Sequence, residues 1–423
     1  MLVRLRDATR STCGAKAATL GTLLRAGLPV PDGLVVPFAM HRGAGEEPLG
    51  GSPEGIAPRT ADLPTVARTA TLHSTAEPPT MDLRVALDEA LGALADVPVA
   101  VRSSATGEDS ADSSAAGQYE TVLAVRGADG IAAAVHRCWA SLAPTRALDP
   151  SAGAGPDGDL GSSAMAVIIQ PLVDAEVAGV LFTPTQPGGA TRLEASWGLG
   201  AAVVGGEVSP DAYEVTANGL VTSEVADKHR RVDREGNGVV AREVAAEQRR
   251  APCLDEDAAV ELARLGHRIS ELLGGPQDIE WARSGGDLRI LQSRPITAEP
   301  PSVGRDAPAV PPNLLRGTPG SRGQVAGPVR IARGPEDFSR VRAGDVLVCP
   351  WTDPAWTPLL RVVDGIITEV GGALSHAAIV AREQHVPAVL GVAGATSSLR
   401  DGEWVELDGS AGTIARTAGG TPR

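Results

Sequence analysis

A proline-rich stretch divides the chain of 423 residues into two parts. Residues 298–313 read AEPPSVGRDAPAVPPN, and five of these residues are proline. Because proline lacks a backbone N–H and fixes φ, such a stretch cannot continue a helix or the interior of a sheet. We expect an extended, semi-rigid linker, which would span roughly 50 Å when fully extended. The sequence therefore predicts one domain over residues 1–297 and a smaller one over residues 314–418.

Both parts have the pattern of an α/β (α+β) fold. The segment AKAATLGTLLRAG repeats apolar residues at helical spacing, and DEDAAVELARLGHRISELLG predicts an amphipathic helix capped by Asp255 and ended by Gly274. Apolar runs such as AMAVIIQPLV and AGVLFTPT are typical of buried strands. Residues 41–81 show little periodicity, so we expect a long loop there with one short helix near Val66.

Charge and cysteine content exclude several classes of protein. The chain has 52 acidic and 38 basic side chains, a net charge of -14, which argues against a nucleic-acid-coating protein. We find no apolar run near the ~20 residues of a membrane span, and no signal peptide at the start. The cysteines are far apart, so we expect neither a disulfide framework nor a zinc site, and a cytoplasmic setting fits. These residues are Cys13, Cys138, Cys253 and Cys349.

Lysine is rare in a chain that otherwise uses arginine. Only Lys16 and Lys228 are lysines among the 38 basic residues. A compact ammonium differs from a planar guanidinium in its contacts, so a retained lysine marks a position that arginine does not fill. We therefore treat both residues as candidates for function, with chance retention as the alternative.

His376 stands at the predicted start of a helix. It follows two glycines in GGALSHAAIVARE, and Ser375 is suited to the N-cap. The N-terminal end of a helix favours anions and disfavours an imidazolium, so a neutral imidazole there can act as a nucleophile toward phosphorus. The alternative is a histidine that only packs against the helix start.

A hydroxyl-rich loop follows another predicted strand. In VAVRSSATGEDS, Arg102 ends the strand, and Ser103, Ser104, Thr106 and Gly107 form a segment able to approach phosphates closely. The alternative is an ordinary surface loop.

A predicted hairpin, DIEWARSGGDLRILQSRPI, carries a third set of polar side chains. With its turn at residues 284–286, Glu280 and Gln292 lie opposite each other, and both offer the oxygen ligands that magnesium requires. Arg294 lies two residues beyond Gln292 and so shares its face. The alternative is a polar pair on a solvated hairpin.

Five blocks in this order resemble the family of phosphoenolpyruvate synthase, pyruvate phosphate dikinase and rifampicin phosphotransferase. GAKAATLGTLLRAGLPVPDGLVV resembles its opening motif, VRSSATGEDS its phosphate loop, and EASWGLGAAVVGGEVSPDAYEV and LQSRPIT later blocks of its ATP-grasp domain. GGALSHAAIVARE resembles its swivelling phosphohistidine domain. The resemblance implies an N-terminal ATP-grasp domain followed by a C-terminal swivelling domain.

The same resemblance implies roles for single residues and the cofactors ATP and Mg²⁺. His376 would take the β-phosphoryl group of ATP, leaving AMP and phosphate, and the swivelling domain would carry that group to an acceptor. Glu280 and Gln292 would hold magnesium, and Thr352 matches a family position near the histidine. The residues implied at the ATP site are Lys16, Arg102, Ser104, Thr106, Gln170, Glu280, Gln292 and Arg294.

The sequence also departs from the family. Ala201 stands where glutamate is frequent, and Lys228 falls only near a family lysine. Relatives carry an acceptor domain, in some a barrel of roughly 250 residues, for which we find no room. The acceptor therefore stays open.

Four hypotheses follow from these observations. The first is phosphorylation of a small molecule, in specialised metabolism or antibiotic resistance, and the second is a catalytic subunit that serves a separate acceptor-binding protein. The others are a non-catalytic nucleotide-binding regulator and an ATP-grasp ligase that releases ADP.

Overall fold

The computed structural model describes residues 1–44, 81–95, 97–106, 119–142, 164–299, 301 and 314–417. The predicted loop at residues 45–80, the short helix near Val66, Gly107 and most of the predicted linker lie outside these residues. Residues 41–44 do not belong to a loop, because they continue a helix that begins at Phe38.

Two antiparallel sheets form the N-terminal part. The first has the strand order β1-β2-β5-β3-β4, and the second has the order β13-β12-β6-β7-β8-β9. A separate hairpin, β10–β11, extends from the second sheet region. The strands are β1 Val3–Arg4, β2 Leu34–Val36, β3 Val99–Ala105, β4 Thr121–Val125, β5 Met165–Pro171, β6 Val177–Phe182, β7 Thr191–Trp197, β8 Asp211–Val215, β9 Val221–Glu224, β10 Arg230–Glu235, β11 Gly238–Glu243, β12 Gln277–Ser284 and β13 Asp287–Pro295.

Six α-helices of the residues described above pack on these sheets. In the first of them, Ala17, Leu20 and Leu23 are buried, as their helical spacing predicts. The amphipathic helix predicted from sequence begins where Asp255 accepts a bond from the Ala258 N–H and ends at Gly274, whose φ is +78°. The helices are α1 Arg10–Arg25, α2 Phe38–Ala44, α3 Met81–Leu91, α4 Gly127–Ala140, α5 Ala201–Val204 and α6 Glu256–Leu273.

One mixed sheet of eight strands forms the C-terminal part. Its order is β14-β21-β20-β16-β17-β18-β19-β15, and the four strands β16 to β19 are parallel. The strands are β14 Leu314–Arg316, β15 Thr318–Ser321, β16 Gln324–Ile331, β17 Val346–Cys349, β18 Gly365–Thr368, β19 Ala388–Leu390, β20 Trp404–Asp408 and β21 Thr413–Arg416. The helices are α7 Thr357–Leu360, α8 His376–Glu383 and α9 Ala395–Ser398. Short 3₁₀ segments cover Leu5–Asp7, Gly92–Ala95, Pro335–Arg340 and Pro354–Trp356.

Helix α8 is the crossover between the parallel strands β18 and β19. Such crossovers place the helix N-terminus beside the carboxyl end of the preceding strand. His376, the first residue of α8, therefore stands at the strand-end edge of this sheet. The observed mixture of helices with antiparallel and parallel strands confirms the predicted α/β (α+β) class.

The two parts meet through an apolar contact. Leu374 and Ile379 are 2% and 7% exposed, and they belong to a buried cluster otherwise built from the N-terminal part, including Val180, Leu199 and Ala202. This contact brings the start of α8 against the second sheet. None of the helices within the described ranges combines the length and apolarity that a membrane crossing would require.

Candidate active site

A cavity of about 410 Å³ lies where the start of α8 meets the two N-terminal sheets. Seven of the nine site residues predicted from sequence line it. His376 comes from the C-terminal part, and the other six come from α1 and from strands β3, β5, β12 and β13. These are Lys16, Arg102, Gln170, Glu280, Gln292 and Arg294.

The side chain of Arg102 connects the two predicted groups of polar residues. Its Nη2 donates to Glu280 Oε2 at 2.6 Å and to Gln292 Oε1 at 3.1 Å. Its Nη1 donates to the backbone oxygen of Leu291 at 2.7 Å. The register of β12 and β13 shifts after the pair Glu280 and Gln292, and this bulge leaves Leu291 without a partner in that ladder. The bulge therefore supplies a carbonyl that orients the arginine.

The electrostatics of the cavity keep Glu280 ionised. Burial alone would raise its pKa, but the positive charges of Arg102, Arg294 and Lys16 outweigh burial and hold the pKa below its ordinary value. Arg294 is itself held by Asp278, which accepts from its Nε at 2.8 Å. A carboxylate stabilised in this way is available to a cation across the neutral pH range.

The oxygens of Glu280 and Gln292 fit a magnesium ion. Both are oxygen ligands, and because one nitrogen of Arg102 contacts both oxygens, a single cation can reach both. Elsewhere in the described part of the chain, no three His, Cys, Asp or Glu side chains converge to hold a metal. A magnesium ion on this pair would therefore take its other ligands from phosphate and water, as is usual for nucleotide sites.

Ser104 and Thr106 do not line the cavity. Ser104 is buried, donates to the Cys13 carbonyl at 2.7 Å and accepts from the Ala17 N–H at 3.4 Å. Thr106 shares hydrogen bonds with the backbone of Ala164. The hydroxyl of Ser104 thus holds the turn that precedes Lys16, and its predicted contact with phosphate stays a prediction.

That turn depends on Gly14. It has φ +83° and interrupts the helical backbone of α1, and a Cβ there would lie 2.4 Å from Ser104 Oγ. Only glycine combines this left-handed backbone with so close an approach. Gln170 is also anchored locally, since its Nε2 donates to the Pro31 carbonyl at 2.6 Å while the side chain borders the cavity.

His376 is buried, with 4% of its surface exposed. Thr352 Oγ1 lies 3.4 Å from its Nδ1, which agrees with the proximity that the family resemblance implied for Thr352. Ser375 occupies the N-cap position of α8 with extended backbone, but its hydroxyl makes no capping bond. The predicted cap is therefore wrong for the side chain and right only for the position.

Comparisons with known proteins agree with this arrangement. The family profile "Pyruvate phosphate dikinase, AMP/ATP-binding domain" matches residues 10–310, and the profile "PEP-utilising enzyme, mobile domain" matches residues 341–412. The chain belongs to this family. The resemblance predicted from the sequence is thus confirmed, and we use the family's names, AMP/ATP-binding domain and mobile domain, for the two parts.

Three relatives are archaeal proteins. The probable phosphoenolpyruvate synthase of Methanothermobacter thermautotrophicus is 38% identical over 418 residues, and the match covers 95% of this chain and 61% of the relative. The probable phosphoenolpyruvate synthase of Archaeoglobus fulgidus and the phosphoenolpyruvate synthase of Aeropyrum pernix are each 36% identical, covering 95% of this chain and 56% of the relative. The chain thus spans about three fifths of the length of these relatives. Members of the family are phosphotransferases that use ATP and Mg²⁺ and form a phosphohistidine.

Several contacts between the two domains were missed by sequence reasoning. Glu194 of β7 accepts from the Leu374 N–H at 3.2 Å, just before His376. Burial raises the pKa of Glu194 to about 7, against the opposing effects of the Leu374 and Ala373 N–H groups and of Arg382 and Arg192. A lone glutamate inside an apolar strand was the available signal, since such a residue requires a partner.

Two tryptophans of the mobile domain, Trp351 and Trp356, lie close in sequence but make different contacts. Trp356 is buried and meets Phe338 edge-on, with ring centroids 4.8 Å apart. Trp351 instead faces the AMP/ATP-binding domain, where the guanidinium carbon of Arg230 lies 5.7 Å from its ring centroid. Trp351 therefore belongs to the contact between domains.

Lys228 is buried away from the cavity. Its ammonium donates to Asp211 Oδ1 at 2.5 Å, and both side chains are fully buried. The N–H groups of Ala226 and Cys253 also bond Asp211. A compact ammonium forms this buried ion pair outside the cavity, so we favour a structural interpretation of Lys228 over a functional one.

Proposed function

We propose that the chain catalyses ATP-dependent phosphoryl transfer in which His376 receives the β-phosphoryl group of ATP, with release of AMP and phosphate. The mobile domain then carries the group to an acceptor. One observation supports this above all others: His376 of the mobile domain lines the same cavity as Lys16, Arg102 and Glu280 of the AMP/ATP-binding domain. Transfer requires the nucleophile and the phosphorus to meet in one site, and this docked arrangement meets that requirement.

The environment of His376 suits attack on phosphorus. A neutral imidazole that keeps its proton on Nδ1 donates it toward Thr352 Oγ1, 3.4 Å away. We assign the attack to Nε2, whose lone pair this tautomer provides. The N-terminus of α8 adds backbone N–H groups beside the transferred phosphoryl group, which stabilise its negative charge.

The cationic side chains supply the charge compensation that phosphoryl transfer mainly needs. Lys16, Arg102 and Arg294 border the cavity and would contact the phosphates. Glu280 and Gln292 would hold Mg²⁺, which when bound neutralises charge on the phosphate oxygens. Gln170 borders the same space and would contribute to nucleotide contact, whereas Ser104 acts through the turn that contains Gly14.

The acceptor is inferred from the relatives. Because they are named for phosphoenolpyruvate synthesis, pyruvate is the first acceptor to test. A small molecule of specialised metabolism or resistance is the alternative that the sequence raised. A separate acceptor-binding protein is the third candidate that the sequence raised.

The test is the intact mass of the protein after incubation with ATP and Mg²⁺, with AMP, ADP and phosphate quantified. We expect one acid-labile phosphoryl group and a stoichiometric amount of AMP in the wild type, and neither in His376→Asn. His385→Asn is the matched control, because His385 is an exposed histidine with φ +57° that asparagine tolerates. Loss of the group on addition of pyruvate alone would identify the acceptor.

Two results would contradict the proposal. ADP without AMP would indicate a ligase or simple kinase, since the cleaved bond would then be the terminal one. An adduct that persists in His376→Asn would place the phosphoryl group on another side chain. Discharge that requires an added protein fraction would instead support the separate-acceptor alternative.

A further inference from the structure

The stoichiometry of the proposed function requires a water molecule. When His376 attacks the β-phosphorus, the bond between the α-phosphate oxygen and the β-phosphorus breaks and AMP departs with that oxygen. The γ-phosphoryl group is then still joined to the group on histidine. Release of free phosphate requires water to attack the γ-phosphorus, and that water must lose a proton. The site therefore needs a base, and this inference rests on the proposed function.

Four carboxylates line the cavity and are the candidate bases: Glu120, Glu207, Glu280 and Asp353. Three of them form ion pairs with arginine side chains. Glu280 pairs with Arg102 at 2.6 Å, Glu207 lies 3.6 Å from Arg230, and Glu120 pairs with Arg137. The guanidinium of Arg102 stabilises the ionised form of Glu280 and lowers its pKa, whereas burial outweighs Arg230 at Glu207 and raises its pKa, so Glu207 stays the second candidate base.

Asp353 is the exception. No basic side chain of the described residues forms an ion pair with it, and its one hydrogen bond runs from the Ala355 N–H to Oδ1 at 2.8 Å. That bond leaves Oδ2 without a hydrogen bond among the described residues, and the residue lines the cavity. Its position is also fixed relative to the nucleophile, since the preceding residue, Thr352, contacts His376 Nδ1.

We propose that Asp353 is the general base that activates the water for cleavage of the terminal phosphoryl group. Asp353 takes one proton from water, the water oxygen bonds to the γ-phosphorus, and the bond between the γ-phosphorus and the bridging oxygen breaks. Phosphate departs, the bridging oxygen stays on the β-phosphorus, and His376 retains a single phosphoryl group. Asp353 then returns its proton to solvent.

The surroundings of Asp353 strengthen its basicity. Burial raises its pKa above the ordinary value, against the opposing effect of the Ala355 N–H. On the side of the AMP/ATP-binding domain, the pKa of Glu207 is also raised, first by burial and further by the charge of Asp353, against the opposing effect of Arg230. A carboxylate with a raised pKa is a better match for proton transfer near neutral pH.

Asp353 also belongs to the mobile domain, so the base travels with the histidine. The docked arrangement brings it to the phosphates, and undocking removes it together with His376. Water activation is thereby confined to the state in which the nucleotide is present. When the mobile domain undocks with its phosphohistidine, the phosphate formed by this cleavage stays behind.

The test compares Asp353→Asn with the wild type after mixing with ATP and Mg²⁺, following AMP, phosphate and intact mass over time. Asparagine keeps the oxygen that accepts from Ala355, so the turn is preserved. We expect AMP to form in both proteins, phosphate release to slow about 10²- to 10⁴-fold in the variant, and the variant to accumulate two phosphoryl units instead of one. Asp364→Asn, an exposed aspartate of the same domain, is the matched control.

AMP formation by the variant shows in the same sample that it is folded and docked. Equal phosphate and AMP at wild-type rates in Asp353→Asn would overturn the inference, as would loss of AMP formation, which would assign Asp353 to the first transfer. Two phosphoryl units in Glu207→Gln but not in Asp353→Asn would move the base to Glu207. Failure of the proposed function is distinct, because the wild type itself would then form no adduct.

Discussion

The carboxylate of Glu194 accepts a hydrogen bond from the Leu374 N–H, 3.2 Å away, across the boundary between the two domains. The glutamate lies on β7 of the AMP/ATP-binding domain, and the leucine stands two residues before His376 in the mobile domain. Glu194 is 4% exposed, and a Cβ added at Gly372 would lie 2.3 Å from its oxygen. The absence of a side chain at this glycine therefore lets the carboxylate reach the loop that carries the histidine.

This contact predicts that docking depends on pH. Burial raises the pKa of Glu194 to about 7 in the docked state, and we expect undocking to expose the carboxyl to water and lower its pKa towards the ordinary value. Docking then takes up a proton, so the docked state is favoured at low pH and is weakened as pH rises through about 7. Arg192, Arg382 and the Ala373 and Leu374 N–H groups face the carboxylate and moderate this effect.

The measurement is the distance between fluorophores on the two domains between pH 5 and 8. We expect the undocked fraction to increase with pH in the wild type and to be nearly constant in Glu194→Gln, which has no titrating proton. Glu214→Gln is a suitable control, because Glu214 lies on the adjacent strand β8 and borders the interdomain cleft without contacting Leu374. A pH dependence that persists in Glu194→Gln would contradict the assignment.

Two glycines of similar backbone provide a test of how Lys16 is presented. Gly14 and Gly27 have φ of +83° and +73°, but a Cβ at Gly14 meets Ser104 within 2.4 Å, whereas a Cβ at Gly27 meets nothing within 4 Å. We expect Gly14→Ala to displace the turn and weaken ATP binding by roughly 10- to 100-fold, as strain of about 1–3 kcal/mol implies. Gly27→Ala carries the backbone strain alone and leaves ATP binding unchanged.

Calorimetric titration of both variants with ATP and Mg²⁺ separates these outcomes, and thermal unfolding controls for general loss of structure. Equal weakening in the two variants would mean that backbone strain, and not the contact with Ser104, determines the position of Lys16.

Lys228 provides a prediction about stability. Lys228→Met leaves Asp211 buried without its cation, and we expect a loss of about 3–5 kcal/mol in the free energy of unfolding. Lys228→Arg forces a larger group into the same closed space and should cost about 1–3 kcal/mol. Denaturant titration measures both, and Arg268→Met on the exposed face of α6 should change stability by less than about 0.5 kcal/mol. Wild-type stability in Lys228→Met would contradict the structural role.

Much of this molecule could be predicted from its sequence because the signals were local. Helical spacing in α1 and α6 determines which face is buried, and the turn of one hairpin brings Glu280 within one residue of Gln292, the bulge completing the pair. Ordered family blocks then indicated seven of the side chains that line the cavity.

Other features depend on the relative placement of distant elements. Arg102 reaches Leu291 only because of a bulge, and no periodicity predicts which residue a bulge leaves unpaired. Ser104 was predicted to approach phosphate because it belongs to a hydroxyl-rich segment, yet its hydroxyl bonds the Cys13 carbonyl in the neighbouring turn at Gly14. The contact of Glu194 was missed because its partner, Leu374, belongs to the other domain. The local sequence around a residue does not indicate how two domains dock.

The burial of Leu374 and Ile379 against the AMP/ATP-binding domain has a consequence for the site at which the mobile domain docks next. Burial of side chains of this kind is worth about 1.5–3 kcal/mol each, and departure from the AMP/ATP-binding domain returns both to water. If the acceptor site were entirely polar, the mobile domain would favour the AMP/ATP-binding domain and would rarely transfer its phosphoryl group. The acceptor site must therefore contain an apolar pocket of its own for Leu374 and Ile379. The mobile domain then moves between two docked states of comparable free energy.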